Sequence, residues 1–142
     1  MKKEKIIVII LIFLLVNTSC ERHEPSDLNT FDCSTCYQDR PEMGRLTVAL
    51  SINSENPFVP LVIYRGNFEN NDIEYIDTSW SEDYWVEVPV DKYYSVTAKY
   101  KDGNKTVIAV DGDKLELEYT SEDCDLPCYY YKGGYIDVRL RN

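Results

Sequence analysis

The feature that most constrains the fold is an alternation of apolar and polar residues, which begins after Pro41 and recurs along the rest of the chain. In the first segment the apolar residues occupy every second position; they are Leu46, Val48, Leu50 and Ile52. A period of two places side chains alternately on the two faces of a strand, so this segment predicts a half-buried β-strand. The same pattern predicts further strands at 61–64, 73–76, 84–88, 94–100, 106–110, 115–119 and 136–140. No segment shows the competing spacing of an amphipathic helix.

Residues that favour tight turns separate these segments; they include Asn56-Pro57, Gly66-Asn67, Asp102-Gly103, Asp111-Gly112 and Gly133-Gly134. Asp102-Gly103, between two alternating segments, is the strongest hairpin signal. About 100 residues follow Pro41, which is enough for one domain with one core. The expected fold is therefore all-β, a single antiparallel two-sheet sandwich of seven to eight strands, because two sheets can each bury one face against the other. A small barrel is the alternative.

Three segments resemble the transthyretin-like and carboxypeptidase-regulatory-like sandwiches; they are 57–64, 85–90 and 94–98. In that family a strand ends in a proline-containing turn, and a strand of the pattern Tyr-x-Val/Leu-x follows. The glycine that usually precedes the tyrosine strand is replaced here by Asp91-Lys92-Tyr93. The resemblance implies a non-catalytic accessory module and assigns no functional residue. An immunoglobulin-like topology remains an alternative.

The N-terminus has the layout of an export signal. A charged start, Met1–Lys5, precedes an unbroken apolar run from Ile6 to Val16, which is too short for a membrane span of about 20 residues. The segment from Val16 to Cys20 resembles a bacterial lipobox of the relaxed type found in Bacteroidota. That resemblance implies cleavage after Ser19 and attachment of acyl chains such as palmitate to Cys20, which would anchor the protein to a membrane.

These signals divide the chain into a lipoprotein signal peptide (1–19), a lipidated polar tether (20–40) and a β-sandwich domain (41–142). The expected location is the cell envelope, at the outer membrane. Glu21 and Glu24 loosely resemble the acidic export signal of Bacteroidota surface lipoproteins, although Arg22 interrupts it. The cell surface is therefore favoured over the periplasmic face.

The charge balance argues against nucleic acid as a partner. The full chain carries a formal net charge of −10, and no cluster of basic residues follows residue 19. Removing residues 1–19 leaves 12 basic and 24 acidic residues, a net charge of −12. Such a chain repels nucleic acid and anionic lipid headgroups.

Four cysteines follow Cys20: Cys33 and Cys36 lie before the first predicted strand, and Cys124 and Cys128 before the last. In an exported protein disulfides are the default, and three pairings are possible. Bridges between the two pairs would close long loops and constrain the chain most, so at least one long-range bridge is expected. A four-thiolate zinc site and a redox-active Cys-x-x-Cys pair are the weaker alternatives.

The inventory of reactive residues argues against an enzyme, and no catalytic residue, metal site or cofactor is assigned. His23 is the only histidine and lies close to the predicted lipid anchor, so a nucleophile–histidine arrangement cannot form within the domain. Paired carboxylates remain formally available among Glu82, Asp83, Asp111, Asp113, Glu116 and Glu118. Asp111-Gly112-Asp113 could contribute calcium ligands, but a turn between two strands is the preferred interpretation.

Aromatic residues give the one hint of recognition. Trp85 and Tyr93 are out of phase with the apolar residues of their strands, and Trp80 lies in a polar segment. Exposed rings of this kind stack on sugars or anchor protein partners. The predicted function is thus a lipid-anchored, non-catalytic binding module for a glycan or an envelope protein. The alternative is a structural or assembly component of an envelope complex, in which an exposed sheet edge pairs with another subunit.

Overall fold

A computed structural model describes residues 32–122 and 124–141. The described residues form eight strands: β1 (Met43–Ala49), β2 (Val59–Arg65), β3 (Ile73–Ser79), β4 (Asp83–Pro89), β5 (Lys92–Asp102), β6 (Lys105–Thr120), β7 (Cys128–Gly133) and β8 (Tyr135–Asp137). Two short 3-10 helices, Cys33–Thr35 and Phe68–Asn70, are the helical elements of this part of the chain. Within it, no helix has the length and apolar character needed to cross a membrane.

The strands form two sheets, as the alternation predicts. One sheet has three strands in the order β4-β1-β8, and the other has five in the order β3-β2-β5-β6-β7. All neighbouring strands are antiparallel except β1 and β8, which are parallel. The chain passes from one sheet to the other after β1, β3, β4 and β7. The strands β1, β4 and β8 therefore build one layer of the sandwich, and the hairpin β2-β3 and the run β5-β6-β7 build the other.

The core consists of the alternating apolar residues that face inward from both sheets. Leu46 and Val48 of β1 are fully buried, as are Leu61 and Ile63 of β2. On β5 the inward residues are Tyr94, Val96, Ala98 and Tyr100. Burial of these side chains stabilises the fold by about 1.5 to 3 kcal/mol for each large aliphatic residue.

Two buried tyrosines also supply hydrogen bonds to main-chain groups. The Tyr94 hydroxyl donates to the carbonyl of Pro89 at 2.7 Å. The Tyr100 hydroxyl donates to Val138 at 2.9 Å and accepts from the Ser51 main-chain N–H at 3.2 Å. Each ring therefore fills core volume and also fixes a connecting segment, as buried tyrosine hydroxyls usually do.

The hairpin predicted at Asp102-Gly103 is confirmed. It joins β5 and β6, with Asp102 opposite Lys105 and Gly103 at a φ of 58°, a left-handed conformation that glycine adopts without strain.

The turn predicted at Asp111-Gly112-Asp113 is wrong. The segments 106–110 and 115–119 belong to the single strand β6, and Asp111, Gly112 and Asp113 pair with residues of β5 inside it. Local propensity favours a turn at this position, but tertiary contacts hold it extended.

The last two strands also differ from expectation. The Tyr129-Tyr130-Tyr131 segment lies within β7, which pairs with β6 and which the alternation pattern did not single out as a strand. The strand predicted at 136–140 is reduced to β8, Tyr135–Asp137, although Val138 remains buried and donates to the carbonyl of Ala49.

Candidate functional site

The outer face of the three-stranded sheet carries a row of exposed aromatic side chains. On β1 the residue Thr47 lies opposite Trp85 of β4 on one side and opposite Tyr135 of β8 on the other. All three alternate with buried or partly buried neighbours, so they face solvent from the same side of the sheet. Trp85 is 56% exposed and Tyr135 53% exposed. Two strand spacings separate these rings by about 10 Å. We call this row, Trp85, Thr47 and Tyr135, the aromatic platform.

Arg45 extends the aromatic platform along β1. Its guanidinium carbon lies 4.5 Å from the centre of the Trp85 ring, in a cation–π contact. Arg45 lies opposite Glu87 in the register of the sheet, yet it stacks on the indole instead of forming an ion pair with a described residue. The contact holds the indole in place and sets a hydrogen-bond donor group beside it.

The position of Tyr135 is fixed by the other sheet. The Tyr135 main-chain N–H donates to the Asp113 carboxylate at 3.1 Å, and the Asp137 main-chain N–H donates to the Asp111 carboxylate at 2.9 Å. The two aspartates lie two residues apart on β6, and this spacing matches alternate N–H groups on the free edge of β8. The carboxylates that the sequence offered as calcium ligands thus hold an edge strand in place.

A polar hollow of about 370 Å³ adjoins the Tyr135 end of the aromatic platform. Its lining includes Asn53, Glu82, Asp83, Tyr135 and Arg139. Arg139 donates to both oxygens of Asp137, at 2.8 and 2.7 Å. These bonds from Arg139 hold the pKa of the Asp137 carboxyl well below its usual range. The hollow is therefore lined by charges of both signs, Glu82 and Asp83 together with Arg139.

The three aromatic residues proposed from the sequence do not form one patch. Trp85 belongs to the aromatic platform, whereas Tyr93 lies on β5, in the five-stranded sheet. Its hydroxyl packs over Gly112, where an added Cβ would lie 2.3 Å from the hydroxyl oxygen. Trp80 is 71% exposed and lies in the connection between β3 and β4.

Of the aromatic platform, sequence reasoning selects Trp85 but neither Thr47 nor Tyr135. A signal for it existed, because Tyr135 is out of phase with Ile136, Val138 and Leu140 and so belongs to the opposite face of that strand. What the sequence could not show is the parallel pairing of β8 with β1, which brings Tyr135 level with Trp85.

The four cysteines form two long-range bridges, which confirms the expectation of at least one. Cys33 is bonded to Cys124 and Cys36 to Cys128, with Cα–Cα distances of 5.9 and 5.6 Å. Together with the pairing of Tyr37 and Tyr129, the bridges attach residues 33–37 to β7 and to the segment just before it. The ordered domain therefore includes the end of the segment that the sequence assigns to the tether. The sulfurs of Cys36, Cys124 and Cys128 lie within 4.8 Å of one another, but as disulfides they offer no thiolate to a metal.

Several of the remaining carboxylates form surface ion pairs. Glu116 pairs with Lys114, and Glu118 pairs with Lys132 at 2.7 Å and accepts from the Tyr130 hydroxyl at 2.6 Å. These partners, Lys132 first, lower the pKa of Glu118. The lipid anchor is predicted at Cys20, and the argument against an enzyme depends on His23. Both residues lie outside the described residues.

No protein-family model matches this sequence, and no curated protein and no solved structure is significantly similar to it.

Proposed function

We propose that this chain is a lipid-anchored, non-catalytic binding module of the bacterial cell envelope, and that the aromatic platform binds a glycan. The observation that carries the proposal is the position of Trp85 and Tyr135, which lie level on one sheet face with Thr47 between them. Both rings are more than half exposed. The lipid on Cys20 would hold this surface close to a membrane.

The geometry of the aromatic platform suits a sugar chain. Aromatic rings offer rigid, largely apolar surfaces that stack on the apolar faces of sugar rings at low entropic cost. Rings about two strand spacings apart on one sheet face can contact two sugar units of one extended chain. The Thr47 hydroxyl between them and the Arg45 guanidinium beside Trp85 can meet the sugar hydroxyls.

The acidic surroundings favour a neutral glycan. Asp83 and Glu87 flank Trp85 on β4, and the chain as a whole has a net charge of −10. A polyanionic glycan would be repelled by these charges. Within the same site, therefore, neutral polysaccharides should bind more tightly than uronate-rich ones.

Tryptophan fluorescence tests the proposal directly. The sequence contains two tryptophans, so Trp80→Phe leaves Trp85 as the single indole reporter in the full chain. We expect its emission to shift and saturate when a neutral polysaccharide from a panel is added. Trp85→Ala and Tyr135→Ala should each abolish binding measured by calorimetry, and Tyr93→Ala, in the five-stranded sheet, should not affect it.

Two results would refute glycan binding at the aromatic platform. One is the absence of any shift across neutral and acidic polysaccharides. The other is binding that survives in Trp85→Ala and Tyr135→Ala. Specific capture of an envelope protein that depends on Trp85 would instead identify a protein partner.

The anchor is tested separately in cells. We expect wild-type protein to incorporate labelled palmitate and Cys20→Ala to incorporate none. An impermeant protease added to intact cells should then remove the domain if it lies on the cell surface. Full protection would place it on the periplasmic face, and labelling that does not depend on Cys20 would refute the anchor.

A further inference from the structure

Strand β3 is an open edge of the five-stranded sheet in the described part of the chain, and residues 105–110 of β6, with which β7 does not pair, form a second open stretch. At the opposite edge of the five-stranded sheet, Tyr37 and Tyr129 exchange main-chain hydrogen bonds of 2.9 and 2.8 Å beside the two disulfides. In the three-stranded sheet the edge of β8 is bound by Asp111 and Asp113, and the Glu87 carbonyl of β4 accepts from the Tyr75 hydroxyl at 3.3 Å. β3 runs for seven residues, and no described strand pairs with its outer side.

The main-chain groups on this open side belong to Ile76 and Thr78. The Gly66 main-chain N–H donates to the Tyr93 carbonyl of β5, and the Arg65 main-chain N–H donates to the Asp72 carbonyl just before β3. The main-chain groups along β2 therefore point alternately toward β5 and toward β3. Leu61 and Ile63 share the orientation of Arg65, and they lie opposite Asp77 and Tyr75. The intervening β3 residues, Ile76 and Thr78, therefore direct their main-chain groups away from the sheet.

Charged side chains on an edge strand usually oppose pairing with another strand. The acidic residues of β3 do not have this effect. Glu74 forms an ion pair with Arg65. The Asp77 carboxylate accepts from the Tyr84 hydroxyl at 2.9 Å and from the Thr78 main-chain N–H at 2.7 Å. Both carboxylates are thus satisfied within the chain, and the Thr78 N–H has only a local partner that a strand carbonyl could replace.

Ile76, in contrast, projects outward and is 72% exposed. It continues a row that crosses four strands of the outer face, from Val110 through Thr97 and Val62 to Ile76. The row is apolar except for Thr97, and it ends at the open edge. A partner strand that placed an apolar side chain beside Ile76 would extend it.

We infer that β3 of a second copy of this chain occupies the edge, antiparallel and centred on Ile76. This register is self-complementary, as a two-fold contact requires. Ile76 lies opposite Ile76 of the second copy and exchanges two main-chain hydrogen bonds with it. Tyr75 lies opposite Asp77, and Glu74 opposite Thr78, so no two like charges meet. The two five-stranded sheets become one continuous sheet, with Ile76 side by side at its centre. This inference does not depend on ligand binding at the aromatic platform.

Cysteine cross-linking tests the register on the full chain. Directly opposed residues that exchange hydrogen bonds have Cα atoms about 5.5 Å apart, which lies within the range of roughly 4.4 to 6.8 Å that a disulfide spans. Ile76→Cys should therefore give a covalent dimer on mild oxidation. Ile108→Cys is the matched control, because Ile108 is 61% exposed and lies on β6, in the part of that strand that β7 does not pair with, so it reports on a different open stretch of the same sheet.

Light scattering on the wild-type chain gives the second readout. We expect a concentration-dependent dimer that Ile76→Lys reduces to monomer and that Ile108→Lys leaves intact. A monomer at every accessible concentration would overturn the inference. So would cross-linking of Ile76→Cys no greater than that of Ile108→Cys, or a dimer that Ile108→Lys dissolves and Ile76→Lys does not.

Discussion

The carboxylate of Asp113 accepts a hydrogen bond of 3.1 Å from the main-chain N–H of Tyr135 and so ties the five-stranded sheet to the edge of the other sheet. Asp111 makes the equivalent bond to Asp137. β8 is only three residues long and pairs with a single strand, so these contacts supply the hydrogen bonds that a further strand would otherwise provide. The position of one ring of the aromatic platform therefore depends on two aspartates of another layer.

Replacing these aspartates should loosen β8. We expect Asp113→Ala and Asp111→Ala each to lower the free energy of unfolding by about 1 to 2 kcal/mol, because each leaves a main-chain N–H without its charged acceptor. Urea denaturation measures the loss. Asp113→Asn keeps an acceptor oxygen and should lose less. Asp39→Ala, at an exposed position, is the comparison. Equal stability of Asp113→Ala and Asp39→Ala would show that the contact contributes nothing.

Gly112 should contribute to the stability of the fold, because the Tyr93 hydroxyl occupies the space that a side chain at this position would need. A Cβ at this position would lie 2.3 Å from the Tyr93 hydroxyl oxygen and 2.9 Å from the Tyr94 carbonyl oxygen. We expect Gly112→Ala to cost about 1 to 3 kcal/mol, the usual range for an overpacked site. Since the closer contact is a side chain, the same substitution made in Tyr93→Ala should cost less. A double-mutant cycle measures this coupling; purely additive effects would mean that the Tyr94 carbonyl alone sets the cost.

The sheets and their core could be predicted from the sequence because the period-two pattern reports which face of each strand is buried. Leu46 and Val48 are buried as the alternation requires, and the hairpin at Asp102-Gly103 forms where local turn preference and pattern agree. The turn prediction at Asp111-Gly112-Asp113 failed because these residues contact groups that are distant in sequence. The aspartates bind the N–H groups of β8, and the glycine makes room for the hydroxyl of Tyr93.

The candidate site was predictable only in part, for a related reason. Trp85 was identified because its exposure follows from alternation within one strand. Its combination with Tyr135 depends on a parallel pairing between β1 and a strand near the end of the chain, which local patterns do not encode. The choice among disulfide pairings likewise depends on which segments the fold brings together.

The two disulfides should be strongly non-additive. Each spans more than 90 residues, but they join neighbouring segments, so once one bridge is formed the other closes only a short ring. On a loop-entropy basis, a loop of this length contributes roughly 4 to 5 kcal/mol and a ring of under ten residues about 2 to 3 kcal/mol.

Removing either bridge alone, as Cys33→Ala with Cys124→Ala or as Cys36→Ala with Cys128→Ala, should thus cost about 2 to 3 kcal/mol. Removing both should cost more than the sum of the two single losses. Urea denaturation of the three variants measures this. Additive losses would contradict the shared-loop argument.

Alkaline pH should destabilise the protein through two tyrosines, the buried Tyr94 and the partly buried Tyr84. Burial, together with a hydrogen bond to Asp77, raises the pKa of Tyr84 to about 12. Burial also raises the pKa of Tyr94 to about 12. Because both values lie above the unfolded pKa of about 10, the stability these residues provide is complete below pH 10 and is lost as the pH rises toward 12.

Phenolate absorbance should therefore show a late titration step near pH 12, accompanied by a fall in the thermal midpoint between pH 10 and 12. Tyr84→Phe and Tyr94→Phe should each remove one phenol from the late step. Tyr94→Phe should also lose about 1 kcal/mol at neutral pH, since the Pro89 carbonyl loses its donor. If the late step were unchanged in both variants, the raised pKa values would belong to other tyrosines.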